Sequence, residues 1–246
     1  MIIKGERISG TPMLIKSNGE GIQPQRMGFQ EKVFDEDWVQ ELIHDHPELL
    51  PVSDIEPVFA PLIAIGREFQ TNAGPIDNLF ISPNGYITIV ETKLWRNPES
   101  RRQVVGQIID YAKELSGWTY EQLDLSVRKF STKYRGDNKL GIVELINASG
   151  ISGVIPEKDI IDNISRNLDK GRFLLLIVGD GIREDVESMV EYLNQTPQLH
   201  YSLAMVELQA YALETEENPA ILIVPQLILR TRDCLLYTSP SPRDRS

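Results

Sequence analysis

Three charged residues lie in a stretch that is otherwise built for a protein interior. In Gly74 to Trp95, GPIDNLFISPNGYITIVETKLW, the residues Asp77, Glu91 and Lys93 stand among leucine, isoleucine, valine and phenylalanine. Side chains alternate across a strand, so Glu91 and Lys93 share a face with Ile87 and Ile89, while Asp77 shares one with Leu79 and Ile81. A three-residue turn Pro83-Asn84-Gly85, with Gly85 left-handed, pairs Ile81 with Ile87 and Leu79 with Ile89, and so sets Asp77 against Glu91. Directly opposed residues have Cβ atoms ~5 Å apart, a separation at which two carboxylates repel unless a proton or a cation lies between them. Such oxygen ligands suit Mg2+ or Mn2+, which complete their shell with waters and a substrate phosphate. Lys93 is placed to stabilise developing negative charge or to orient a water, and the reaction these parts perform together is phosphodiester hydrolysis.

The flanking sequence supplies the elements that must hold these residues. Asp35 is an N-cap, Glu36 and Asp37 occupy a first turn, and Val39, Leu42, Ile43 and His46 recur at helical spacing until Pro47. The segment PVFAPLIAIGREFQ reads as a strand, and the hairpin supplies two more. A second helix starts at Asn97, with Pro98 as its first helical residue, and runs to about Leu115; Val104, Val105, Ile108, Ile109, Ala112 and Leu115 give it a wide apolar face for packing on a sheet. Residues 1 to 30 read as an irregular β leader and 117 to 170 as a mostly helical insertion. GRFLLLIVGDGI then reads as a buried strand, EDVESMVEYLNQ as a helix, and YSLAMVELQAYAL and AILIVPQLILR as two strands. The expected fold is an α/β sandwich with a mixed sheet, in the order α-β-β-β-α, insertion, β-α-β-β, as one domain over 31 to 233.

Asp77 followed fourteen positions later by Glu91-Thr92-Lys93 resembles the signature of the PD-(D/E)xK nuclease superfamily, with Pro75-Ile76-Asp77 in place of adjacent Pro-Asp. The resemblance implies a restriction-endonuclease-like core of helix, three-stranded meander, helix and fourth strand. On the second helix, Gln107 and Tyr111 resemble the QxxxY motif of RecB-like nucleases, and Gln107, an amide on an apolar stripe, needs a hydrogen-bonding partner such as Lys93 or a DNA phosphate. Members often add a first-helix glutamate. Glu36 lies on the buried stripe with Val39 and Ile43, whereas Glu41 is ~200° away and faces solvent. EDWVQELIHDHPEL is similar to the matching helix of NucS-type endonucleases, with the acid at Glu36. The implied function is a Mg2+- or Mn2+-dependent DNA endonuclease: Asp77, Glu91 and the Thr92 carbonyl hold metal, and Lys93 acts on water or phosphorus. Gln107 positions Lys93 or DNA, Tyr111 supports the helix and contacts nucleic acid, and Glu36 completes the acidic cluster. The alternative is a catalytically silent nucleic-acid-binding or assembly module on the same fold.

Composition constrains the partners. The net charge of −11 opposes a polyanion, so nucleic-acid contact requires local basic residues or a bound cation. Candidates are Trp95, Arg96, Arg101 and Arg102 beyond the hairpin, and Arg128, Lys129, Lys133 and Arg135 in RKFSTKYRGDNK. DNA is the expected partner, RNA stays open, and a homodimer is compatible. The last residues, Cys234 to Ser246, look like translated sequencing-adapter DNA; without them the net charge is −12 and no cysteine remains, which removes thiolate chemistry. No apolar run reaches the ~18 residues of a membrane span and the N-terminus lacks a signal-peptide layout, so a cytoplasmic protein is expected. His44, His46 and His200 have no ligand spacing, and the lone GDGI lacks the Walker lysine.

Overall fold

The computed structural model describes residues 10–28, 34–94, 100–135, 139–181, 200–214 and 219–230. Among these, a short hairpin of β1 (Leu14–Ile15) and β2 (Gly21–Ile22) precedes β3 (Gln25–Met27) and the helix α1 (Glu36–Asp45). The one-turn helix α2 (Val52–Ile55) leads to the meander β4 (Ile63–Thr71), β5 (Gly74–Ile81) and β6 (Ile87–Lys93). The helices α3 (Ser100–Ser116), α4 (Tyr120–Arg135), α5 (Ile142–Ala148) and α6 (Glu157–Lys170) follow, and then β7 (Phe173–Gly179), β8 (Ser202–Glu214) and β9 (Pro219–Arg230). One seven-stranded sheet runs β3-β8-β7-β6-β5-β4, with β9 paired to β8. β6, β7 and β8 are mutually parallel and the other pairs antiparallel, so the fold is α/β with a mixed sheet. Among the described residues no helix is long and apolar enough to cross a membrane.

The local chemistry explains the boundaries. Asp35 caps α1 by accepting the Trp38 amide at 2.8 Å, and Glu36 and Asp37 favour the positive end of the helix dipole. The expected strand from Pro57 is corrected: Pro57–Phe59 is a single 3-10 turn, and the strand begins at Ile63. Pro57 and Pro61 have fixed φ and no N–H, so neither can donate to a ladder. The expected start of α3 at Asn97 and the helix over 184–195 lie outside the described residues.

Two apolar layers sandwich the sheet. On one face Leu79, Ile81, Ile87, Ile89, Leu175 and Ile177 pack against the α3 stripe of Val104, Val105, Ile108, Ala112 and Leu115. On the other, Phe80, Val90, Leu174, Leu176 and Val178 pack against Phe34, Val39 and Ile43 at α1. β7 is buried along its whole length, as a parallel strand covered on both faces must be, which is why FLLLIVG carries no polar alternation. The β5–β6 turn is fixed from α6, where Asn163 donates to the Asn84 carbonyl at 3.0 Å and Asn167 to that of Gly85 at 2.9 Å.

Candidate active site

The hairpin has the register that the apolar residues demand: Ile81 pairs with Ile87 and Leu79 with Ile89, across a turn in which Gly85 has a φ of 81°. The ladder ends at Asn78 and Val90, one residue before Asp77 and Glu91. There the Asp77 carboxylate takes over as acceptor, and Thr92 N–H donates to its Oδ2 at 2.7 Å. Asp77 is 8% exposed and Glu91 2% exposed. Glu91 Oε2 is buried and has no hydrogen-bond partner among the described residues.

Burial, above all, pushes the Glu91 carboxyl up from its ordinary range to about 9; the Asp77 charge adds to this and Lys93 opposes it. Asp77 is raised to about 7, again mainly by burial, while the Thr92 amide pulls it down and Glu68 and Glu36 push it up. Two buried acids beside each other resist joint ionisation unless a proton or a cation lies between them.

Glu36 and Lys93 close the site from the strand end. Glu36 begins α1, on the side of the sheet opposite α3, and reaches the end of β6. Its Oε1 accepts the Leu94 amide at 3.1 Å and its Oε2 lies 3.2 Å from Lys93 Nζ. Glu41 is exposed on α1. α1 itself is fixed to the meander, because the Arg67 guanidinium donates to the Asp37 carbonyl at 3.0 Å and pairs with its carboxylate. The Asn78 amide donates to the Gln40 carbonyl at 3.0 Å.

Glu68, which motif and spacing did not reveal, belongs to this group. Arg67 and Asn78 are cross-strand partners that face α1, whereas the next pair, Phe69 and Ile76, packs with the α3 layer. The ribbon rolls over between them, at Glu68 and Asp77, and Glu68 has a φ of 47°. A non-glycine residue there costs roughly 1–2 kcal/mol, a strain that tends to mark functional sites. Nothing in the alternation of β4 singles Glu68 out; the pairing of β4 with β5 is what brings it level with Asp77.

The remaining candidates have varied surroundings, and some lie outside the described residues. Gln107 does not reach Lys93; its Nε2 donates to the Tyr111 hydroxyl at 2.7 Å, and Tyr111 donates to the Pro75 carbonyl at 2.6 Å. The pair therefore fixes α3 to β5 two residues before Asp77. Tyr111, expected among the nucleic-acid contacts, is 1% exposed and lies in the core. Arg128, also expected there, is instead held by Asp124 and Glu144, each at 2.7 Å, and by the Lys139 carbonyl at 2.9 Å. Its charge joins α4 to α5. Lys129 and Lys133 are exposed on α4. Trp95 and Arg96 lie outside the described residues, as do the side chains of Arg101, Arg102 and Arg135. Among the described residues no group of three or more His, Cys, Asp or Glu side chains is arranged to hold a metal ion. No family model, curated protein or solved structure matches the chain.

Proposed function

We propose that the protein is a divalent-cation-dependent DNA endonuclease with a restriction-endonuclease-like core. The observation that carries this reading is Glu91, a carboxyl group 2% exposed at the end of a central strand, with one oxygen lacking a partner among the described residues and a second buried acid beside it. An ionised carboxylate buried without a partner costs on the order of several kcal/mol, and a cation is the partner that offsets this cost. The order α1, β4 to β6, α3, β7 supports the core assignment.

The donor set fits a hard cation. Asp77 and Glu91 would hold Mg2+ or Mn2+, with the Thr92 carbonyl as a further oxygen; a small number of protein ligands suits Mg2+, which keeps several waters and takes substrate phosphate oxygens. When bound, the cation polarises the phosphoryl oxygen and provides a nucleophilic water near neutral pH. The chain's own residues do the rest. Thr92 N–H fixes the Asp77 carboxylate, and Glu36 holds the Lys93 ammonium at the site's edge. Lys93 presents its charge to the phosphoryl group as negative charge develops.

The test is cleavage of single-stranded, double-stranded and branched DNA by the purified full chain with Mg2+. Cleavage is expected, and Asp77→Ala and Lys93→Ala each lower it about a hundredfold or more. No cleavage, or cleavage indifferent to both substitutions, overturns the reading in favour of a silent binding or assembly module.

A further inference from the structure

β8 has a break along the edge that faces β7 and β3. β7 pairs with it as far as Gly179 opposite Glu207, and β3 pairs with it from Met27 opposite Ala210, so Leu208 and Gln209 fall between the two ladders. A cavity of about 120 Å³ lies at this break, lined by Arg26, Met27, Asp180, Leu208, Gln209 and Ala210. It is well below the ~300–1,000 Å³ of pockets for drug-sized ligands, and suits a single planar ring system. Met27, Leu208 and Ala210 are its apolar lining residues, and Arg26 and Asp180 are residues of opposite charge in the same lining.

The cavity also has a defined place relative to the carboxylates. Lys93, Gly179 and Glu207 are lateral neighbours across β6, β7 and β8. Two strand spacings of ~4.8 Å put Glu207 ~10 Å from Lys93, about three base rises of ~3.4 Å along a strand. Gly179 contributes no side chain between them.

We propose that this break in the sheet is a pocket for a guanine base of the bound strand, an inference that rests on the nuclease reading above. Guanine presents two acceptors, O6 and N7, to an arginine fork, and its ring N–H and amino group are donors that a carboxylate accepts. Arg26 and Asp180 supply those complementary groups; adenine would turn an amino donor toward the guanidinium. The Arg26 side chain is 57% exposed and forms an ion pair with Glu207 at 4.0 Å, longer than a hydrogen bond. The floor is preset, because Gln209 Nε2 donates to Glu207 at 3.1 Å and to Gln226 at 3.0 Å, while its Oε1 accepts from Tyr211 at 2.7 Å.

The full chain in EDTA is titrated with guanosine, adenosine, cytidine and uridine by NMR. Guanosine is expected to bind at least about tenfold more tightly than the others, and Arg26→Ala and Asp180→Asn each weaken it about tenfold, with melting curves checking that both variants fold. Equal binding of the four nucleosides, or guanosine binding indifferent to both substitutions, overturns the pocket. Mapping cleavage sites on random-sequence DNA separates the two claims. Cleavage without a guanine preference at a fixed offset sinks the pocket and leaves the nuclease; Arg26-dependent guanosine binding without cleavage sinks the nuclease and leaves a nucleoside pocket.

Discussion

Replacing Glu91 by glutamine is expected to stabilise the metal-free protein at alkaline pH. The folded Glu91 carboxyl titrates at about 9 against an ordinary 4.5, because burial and the Asp77 charge disfavour its ionised form. The folded chain therefore holds this proton more tightly than the unfolded chain does. Its stabilising share is full below pH ~4.5 and is lost as the pH rises toward 9. Each pH unit in that window is worth ~1.4 kcal/mol, so the interval from 4.5 to 8 has a ceiling of roughly 5 kcal/mol. Glutamine mimics the neutral acid and removes the share of the slope due to Glu91, leaving that of Asp77, but its amide must be accommodated where Glu91 Oε2 already lacks a partner among the described residues, at a cost of ~1–3 kcal/mol. A net gain of roughly 2–4 kcal/mol at pH 8 follows, with no gain at pH 5. Urea unfolding in EDTA at several pH values reads this as a shift of about 1 M in midpoint, since the slope is ~1–3 kcal/mol per M. Added Mg2+ then raises the wild-type midpoint and leaves that of Glu91→Gln nearly unchanged, by ligand linkage. Parallel pH profiles for the two proteins, or a wild type that gains stability between pH 5 and 8, would show that Glu91 is not held neutral by burial.

Two further outcomes concern the scaffold. Arg128→Ala breaks the junction between α4 and α5 and is expected to cost ~1–2 kcal/mol in urea unfolding, with no change in affinity for DNA by filter binding; a large drop in affinity would return Arg128 to the nucleic-acid surface. Gly85→Ala puts a Cβ 3.0 Å from the Ile160 carbonyl at a φ of 81°, so it is expected to lower stability by ~2 kcal/mol or more; an unchanged melting temperature would show that the turn yields.

The hairpin was legible in the sequence because period-two alternation and a glycine-closed turn leave one register that buries Leu79, Ile81, Ile87 and Ile89 together. That register carries Asp77 and Glu91 to the same strand end, and the helical stripe of α1 distinguishes Glu36 from Glu41. Both are periodicities of the chain itself. Other features depend on contacts between segments far apart in sequence. Gln107 carries an amide whose partner, Tyr111, is one helical turn away, while the carbonyl that anchors Tyr111 is on β5. Arg128 on α4 is held by Glu144, which α5 brings against it. Glu68 joins the acids through a roll in the β4–β5 ribbon that alternation does not foresee. Alternation along the chain thus sets the hairpin strands, their register and the meeting of Asp77 with Glu91, because burial of one apolar face admits no other pairing. Which further charges meet, Glu68 with the acids and Glu144 with Arg128, depends on the packed fold, because those partners arrive on other elements.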